Sequence, residues 1–134
     1  ANLYYVNEAY VISGDESLER LMPPETVTIE AAPGAEAKAV IEALKTLPDK
    51  ENYGTMILEG ITFNDVHIEG DTAYVDLSRE NLNGSSLQEG FLISQIVRTL
   101  RGTFSEVAQV QFLVDGAVAE SLMGHIDASK PFTE

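Results

Sequence analysis

Two residues near the end of the chain have the types and spacing of a metal-binding pair. His125 and Asp127 are one residue apart, so a β-strand would place an imidazole and a carboxylate on the same face. Zinc sites use three or four protein ligands, but the chain has no cysteine and only one other histidine, His67. We therefore expect no metal site, and we interpret the pair as hydrogen-bonding or exposed side chains that stay candidates for binding a partner.

A calcium loop is the second chemistry that this sequence could support. The segment that starts at Asp76 begins like an EF-hand loop. In that loop the sixth residue is Gly and the twelfth is Glu, whereas this chain has Asn81 and Leu87 there. The calcium pattern therefore fails.

A pair of carboxylates could hydrolyse a glycosidic bond if burial raised the pKa of one of them. Asp76 comes closest, since it lies between Val75 and Leu77, but a solvated or capping Asp at a strand end explains this position better. The chain has no Gly-x-Ser-x-Gly elbow, phosphate-binding glycine loop or His-Glu-x-x-His helix. We predict that the protein is not an enzyme and needs no cofactor.

Arg98 and Arg101 are scarce positive charges, because the chain has 8 basic residues against 22 carboxylates and a net charge of −14. Both lie near the end of a predicted helix, where a cation compensates the helix dipole. Contact with a binding partner is the alternative interpretation. The net charge repels phosphate backbones and anionic lipids, so we expect neither nucleic-acid binding nor direct adhesion to a membrane.

The composition is that of a folded domain. Apolar residues make up 44% and charged residues 22% of the 134 residues, which is enough for one domain with a real core. We expect a single domain over residues 1–134. No apolar run approaches the ~20 residues that span a bilayer. The chain begins at Ala1, and we expect any membrane attachment to come from a leader or lipid anchor that has been removed.

Two segments have the periodicity of amphipathic helices. Ala35–Leu47 has apolar residues three and four positions apart and is followed by Pro48, which predicts a helix that ends there. Ser86 and Glu89 have the spacing of a capping box at the start of a second helix. Gly102 stands where a left-handed residue would end that helix.

The strands are predicted from short runs of β-branched and aromatic residues. The single strands are Leu3–Val6, Tyr10–Ser13 and Glu25–Glu30. Two hairpins are expected from Gly-Asp and Asp-Gly pairs between such runs: one joins Asn64–Glu69 to Thr72–Leu77, and the other turns at Asp115-Gly116 within Val110–Phe132. The predicted fold is α+β, a two-layer α/β sandwich in which two helices pack on one face of a mostly antiparallel sheet.

The order of these elements and five of its segments resemble the GerMN domain, the sporulation and spore germination module of bacterial envelope proteins. The segments are Leu21–Ile29, Ala43–Pro48, Val66–Ser78, Ile96–Leu100 and Val110–Phe132. The likeness extends over nearly the whole chain. It departs at Leu47 and Leu58, where the family often has Gly and Pro, and in the longer segment Tyr10–Arg20.

The resemblance implies a non-catalytic binding or scaffolding module of an extracytoplasmic lipoprotein or secreted envelope protein. Its partners would be other envelope or spore proteins or peptidoglycan. No catalytic or ligand residue carries over from the family, so the candidate binding residues remain Arg98, Arg101, His125 and Asp127. The alternatives are a module that binds a small ligand or divalent cation, and a cell-wall hydrolase that uses paired carboxylates.

Overall fold

The main body of the fold has two layers, in which two helices pack against a three-stranded sheet. The computed structural model describes residues 1–134. Its elements are β1 (Asn2–Leu3), β2 (Val6–Asn7), α1 (Glu8–Ser13), β3 (Glu25–Thr26), α2 (Glu36–Ala43), β4 (Tyr53–Gly54), β5 (Phe63–Glu69), β6 (Thr72–Leu77), α3 (Ser86–Thr103) and β7 (Gln109–Val114). This is the predicted α+β class, with α1 as a third, short helix.

The strands of the main sheet lie in the order β5-β6-β7. β5 and β6 form the predicted antiparallel hairpin, and Gly70 has a φ of +60° in its two-residue turn, as a type II′ turn requires. β7 pairs with β6 in parallel. A parallel neighbour needs a crossover connection, which α3 supplies. Two further ladders, β1 with β3 and β2 with β4, are antiparallel, so the strand pairing is mostly antiparallel as predicted.

The core lies between the helices and one face of this sheet. Ala73, Val75 and Leu77 of β6 have no exposed surface, because alternate residues of a strand point to the same face. They belong to one buried cluster with residues of α2 and α3. The apolar members from α3 are Leu92, Ile93, Ile96, Val97 and Leu100.

The segment Tyr10–Ser13 was predicted as a strand, and this is wrong, since it lies in α1. Asn7 caps the helix by accepting the N–H of Ala9 at 3.1 Å, and Gly14 ends it with a φ of +67°. These capping residues outweigh the β propensity of a short aromatic run. The predicted strand Glu25–Glu30 is reduced to the two residues of β3.

The predicted terminal hairpin is also wrong, although its turn is present. Asp115 and Gly116 have φ values of +50° and +84°, but the antiparallel pairing stops after one bridge, between Val114 and Ala117. The outer edge of β7 is bonded instead to Phe132, through two backbone hydrogen bonds of 2.8 Å with Val110. The residues after the turn therefore cross the fold as an irregular segment.

Both predicted helices exist, with different ends. α2 stops at Ala43, and the chain continues through tight turns to Pro48. The capping box of α3 is formed by Ser85 and Gln88, one residue earlier than predicted. Gly102 is helical, and Phe104 is the C-terminal cap. None of the helices combines the length and apolar character that crossing a bilayer requires.

Candidate functional site

The largest concave surface is a groove of about 1080 Å³ beside the exposed face of α3. Residues of α3 that line it are spaced three or four apart and therefore share one face of the helix. They are Ser86, Leu87, Gly90, Phe91, Ser94 and Arg98. The loop between α1 and β3 contributes residues 18–24 to another part of the lining. We refer to this surface as the α3 groove.

Arg98 occupies a defined position in the α3 groove. Its guanidinium carbon lies 4.9 Å from the centre of the Tyr4 ring, within the range of a cation–π contact. Tyr4 is itself fixed to α3, because its N–H donates to Thr99 Oγ1 at 3.0 Å and its carbonyl accepts from Gln95 Nε2 at 3.1 Å. No carboxylate lies within 4.0 Å of the Arg98 guanidinium, so its hydrogen-bond donors are free.

The loop that faces α3 is held by Asn7. The Asn7 side chain donates to the carbonyl of Glu19 at 2.8 Å, and its backbone N–H donates to the carbonyl of Arg20 at 2.9 Å. Arg20 lies over the Tyr10 ring at 5.1 Å and pairs with Glu16 at 3.6 Å. This anchoring leaves apolar side chains exposed on both sides of the groove: Leu18 is 37% exposed and Leu87 41%.

Ile126 contributes to the groove from the C-terminal segment, and a buried carboxylate holds that segment. Glu89 of α3 has no exposed surface. Its Oε2 accepts the N–H groups of Leu122 at 3.0 Å and Met123 at 2.6 Å. Its Oε1 accepts those of His125 at 3.0 Å and Ile126 at 2.9 Å. The two carboxylate oxygens thus organise a stretch of backbone that has no helix or strand.

His125 and Asp127 make separate contacts and do not converge on one site. His125 Nε2 donates to the carbonyl of Gly84 at 2.9 Å. Asp127 Oδ1 accepts from the Ser129 N–H at 2.9 Å and from its hydroxyl at 2.6 Å. The hydrogen bonds from Ser129 hold the pKa of the Asp127 carboxyl below its usual value. Both residues stabilise the C-terminal segment.

The other residues considered for chemistry also make contacts that stabilise the fold. The two ring nitrogens of His67 face different carboxylates, Asp65 at 2.5 Å and Glu69 at 3.3 Å. Asp76 Oδ1 accepts the N–H of Gly116 at 2.9 Å and so caps the turn after β7. No three His, Cys, Asp or Glu side chains are arranged to hold a metal ion.

Arg101 and Arg98 have different surroundings although both lie on α3. The Arg101 guanidinium donates to the carbonyl of Thr133, so it fastens the end of the chain. Arg98 alone of the four candidate residues lines the α3 groove. Of the four candidates, Arg98 therefore has free donors, whereas Arg101, His125 and Asp127 are hydrogen-bonded to the backbone.

Sequence reasoning missed the polar residues that build the groove. Glu89 was assigned to a capping box, whereas Gln95 and Thr99 received no role. All three are fully buried on α3. A signal was present, because Glu89 lies three and four residues before Leu92 and Ile93, and a carboxylate on the apolar face of a helix must find buried donors.

Comparisons with known proteins agree with this fold. The model of the family described as sporulation and spore germination matches residues 2–120. A search of the curated proteins finds no match. The first GerMN domain of the sporulation protein GerM from Bacillus subtilis superposes with a TM-score of 0.72 at 17% identity, covering 99% of this chain and 96% of that one.

Two more solved structures are similar over nearly the whole chain. The tandem GerMN domains of GerM from Bacillus subtilis give a TM-score of 0.74 at 16% identity, with 98% of this chain and 45% of that chain covered. A proposed lipoprotein from Clostridium perfringens gives 0.67 at 21% identity, with 100% of this chain and 86% of that chain covered. Since the family model covers most of the sequence and the fold matches, the chain belongs to the sporulation and spore germination family and is a GerMN-like domain.

Proposed function

We propose that this domain is a non-catalytic binding or scaffolding module of a bacterial cell-envelope or spore protein. It acts in sporulation or germination by contacting other envelope or spore proteins or peptidoglycan. The α3 groove is the observation that carries the proposal, because it combines exposed Leu18 and Leu87 with the free guanidinium of Arg98. Concave surfaces that join apolar area to a few polar groups are preferred binding sites.

The roles of the polar side chains support a binding function over a catalytic one. A catalytic acid or base must be free to exchange a proton with a substrate. Glu89 accepts four backbone N–H groups. Asp76 and His125 are bonded to the backbone of another loop, and Asp127 is bonded to the backbone of Ser129 in its own segment. These groups serve to fix the loops that they contact.

The relatives support a location in the cell envelope. One similar structure is a proposed lipoprotein from Clostridium perfringens, and another is the sporulation protein GerM. A binding module on an extracytoplasmic lipoprotein or secreted protein would meet envelope proteins and the cell wall directly.

A retention assay with a matched pair of variants tests the function. The domain is immobilised and exposed to envelope extracts, and its co-sedimentation with purified sacculi is measured in parallel. Leu18→Ser with Leu87→Ser should lower retention of the partner, because both leucines are exposed in the groove. Leu47→Ser with Leu58→Ser is the control, since these leucines are both 48% exposed and lie outside the groove.

Two results would contradict the proposal. The binding function fails if wild-type protein retains nothing across a range of ionic strengths, or if both double variants retain the partner as well as the wild type. The non-catalytic assignment fails if the purified domain releases soluble fragments from sacculi and a single Asp or Glu substitution abolishes that release.

A further inference from the structure

We infer that the α3 groove binds a peptide segment of a partner protein in which one carboxylate lies beside an apolar side chain. This rests on the proposed binding function and names the class of partner. The recognition elements are the guanidinium of Arg98 and the apolar surface between Leu18 and Leu87.

Arg98 supplies the carboxylate-binding group. A guanidinium presents several N–H donors in a planar fork that matches both oxygens of a carboxylate. Those of Arg98 meet no carboxylate within 4.0 Å, and the Tyr4 ring supports the group from one side at 4.9 Å. Because Gln95 and Thr99 fix the backbone of Tyr4, the site is positioned before a partner arrives, which lowers the entropic cost of binding.

The apolar part of the site lies along the same helix face. Gly90 and Ser94 are small residues between Leu87 and Arg98, and a Cβ at Gly90 would meet no atom closer than Ile126 Cδ1 at 3.7 Å. This leaves room for a side chain of the partner next to Leu87. Arg98 lies eleven positions after Leu87 on the helix, a rise of ~16 Å, which an extended segment of about five residues covers.

The aromatic residues of the groove favour a peptide over a glycan. A sugar ring can stack on an aromatic side chain only where a face of that side chain is open. The aromatic residues that line the groove are Tyr4 and Phe91. Arg98 lies over the Tyr4 ring, and Phe91 is buried and packs edge-on against Tyr10 at 6.1 Å. The exposed apolar surface of the groove comes instead from the aliphatic side chains of Leu18 and Leu87, on which an apolar side chain of a peptide can pack.

The remaining charges restrict the segment to a single acidic group. Glu16, Glu19 and Glu134 also line the groove. Glu16 pairs with Arg20, whereas no basic group lies within 4.0 Å of Glu19 or Glu134. A run of acidic residues would be repelled by these carboxylates, so one carboxylate directed at Arg98 fits best.

The specificity expected at Arg98 is opposite to the one expected from the overall charge. A protein with a net charge of −14 should attract basic peptides through its long-range field. Recognition at Arg98 should instead select a peptide with Asp or Glu near a large aliphatic residue. A library of random seven-residue peptides displayed on phage is selected against the immobilised domain in 150 mM salt. The selected sequences distinguish basic peptides from acidic ones, and this salt screens the long-range field over about 8 Å.

The best selected peptide is then synthesised with capped ends and titrated into ¹⁵N-labelled protein. We expect the amides of Leu18, Leu87 and Ser94 to shift, and replacement of the peptide's Glu by Gln to weaken binding about fivefold. Arg98→Gln should remove this difference between the two peptides, and Arg98→Lys should keep part of it. Lys38→Gln, an exposed lysine of α2 outside the groove, should leave it unchanged.

Three outcomes overturn the inference: selection of basic peptides, selection of none, and a preference for Glu over Gln that survives in Arg98→Gln. The proposed function has its own result in the retention assay. If envelope proteins or sacculi are retained in a groove-dependent way while the peptide selection fails, the binding function stands and its acidic-peptide specificity does not.

Discussion

Glu89 and Ile126 join two distant parts of the chain, since the Glu89 carboxylate accepts the Ile126 N–H at 2.9 Å across 37 positions of sequence. The same carboxylate binds three more N–H groups of residues 122–125. Moving an ionised carboxylate out of water is costly unless donors replace the lost solvent. The four N–H groups are those donors. The same hydrogen bonds hold the irregular segment of residues 122–126 in a fixed position against α3.

Glu89→Gln should lower the free energy of unfolding by about 2–4 kcal/mol, because the amide NH₂ would face two backbone N–H donors that then lose their acceptor. Urea denaturation monitored by circular dichroism measures the loss. Glu120→Gln is the matched control, since Glu120 is an exposed residue of the same C-terminal segment. Equal effects of the two substitutions would show that Glu89 does not hold the segment.

Thr99→Val should destabilise the domain by about 1–2 kcal/mol while keeping the shape of the side chain. The buried hydroxyl of Thr99 accepts the N–H of Tyr4 at 3.0 Å, and a methyl group would leave that donor unsatisfied. Ser94→Ala on the exposed face of the same helix is the comparison and should change stability by less than about 0.5 kcal/mol. A neutral Thr99→Val would mean that water replaces the lost acceptor.

Two glycines of α3 should respond differently to alanine. Gly90→Ala should stabilise the domain by about 0.5–1 kcal/mol through helix propensity, because the new Cβ would make an ordinary contact with Ile126 at 3.7 Å. Gly102→Ala should gain less or destabilise, because its Cβ would lie 3.1 Å from Tyr4 Cε1. Thermal and urea unfolding measure the change in stability of both variants. A larger stabilisation by Gly102→Ala than by Gly90→Ala would contradict the contact between Gly102 and Tyr4.

Stability at alkaline pH should depend on Tyr5. Burial, with a smaller contribution from Glu25, raises the pKa of the Tyr5 phenol above its ordinary value of 10.0. A raised pKa means that the folded state holds the proton more tightly, so this stabilisation is complete below about pH 10 and is lost as the pH rises toward the folded-state pKa. The free energy of unfolding should therefore fall as the pH rises above about 10.

Tyr5→Phe should flatten this part of the pH profile. Below about pH 9 it should cost about 1 kcal/mol, because the hydrogen bond from the Tyr5 hydroxyl to the Thr46 carbonyl, 2.8 Å long, is lost. Tyr74→Phe, at a half-buried position on the outer face of the sheet, serves as the control and should keep the wild-type slope. An unchanged slope in Tyr5→Phe would assign the alkaline loss to other groups.

The main body of the fold was predictable because its signals are local. The β5–β6 hairpin follows from alternation around a Gly-Asp pair, and the helices α2 and α3 follow from apolar residues three and four apart. The two failures have different causes. Tyr10–Ser13 becomes a helix because Asn7 and Gly14 cap it, and the terminal hairpin stops because Phe132 takes the outer edge of β7. In the hairpin, a distant residue outweighed the local preference.

The candidate site was predictable only in part. Scarcity of positive charge pointed to Arg98 and Arg101 equally, and the structure distinguishes them, because Arg101 binds the Thr133 carbonyl while Arg98 lines the groove with free donors. Counting possible ligands argued against a zinc site at His125 and Asp127. Their actual contacts, with Gly84 and Ser129, required coordinates.

The sequence by itself determined the family, the α+β class and the amphipathic helices, since motif order and apolar periodicity are properties of neighbouring residues. The tertiary structure alone decided that β7 lies parallel to β6, that Glu89 binds residues 122–126, and that α3 faces an open groove. These features depend on contacts between residues far apart in the chain. A buried polar group in such a contact must have a hydrogen-bond partner, and the sequence does not show which residue that partner is.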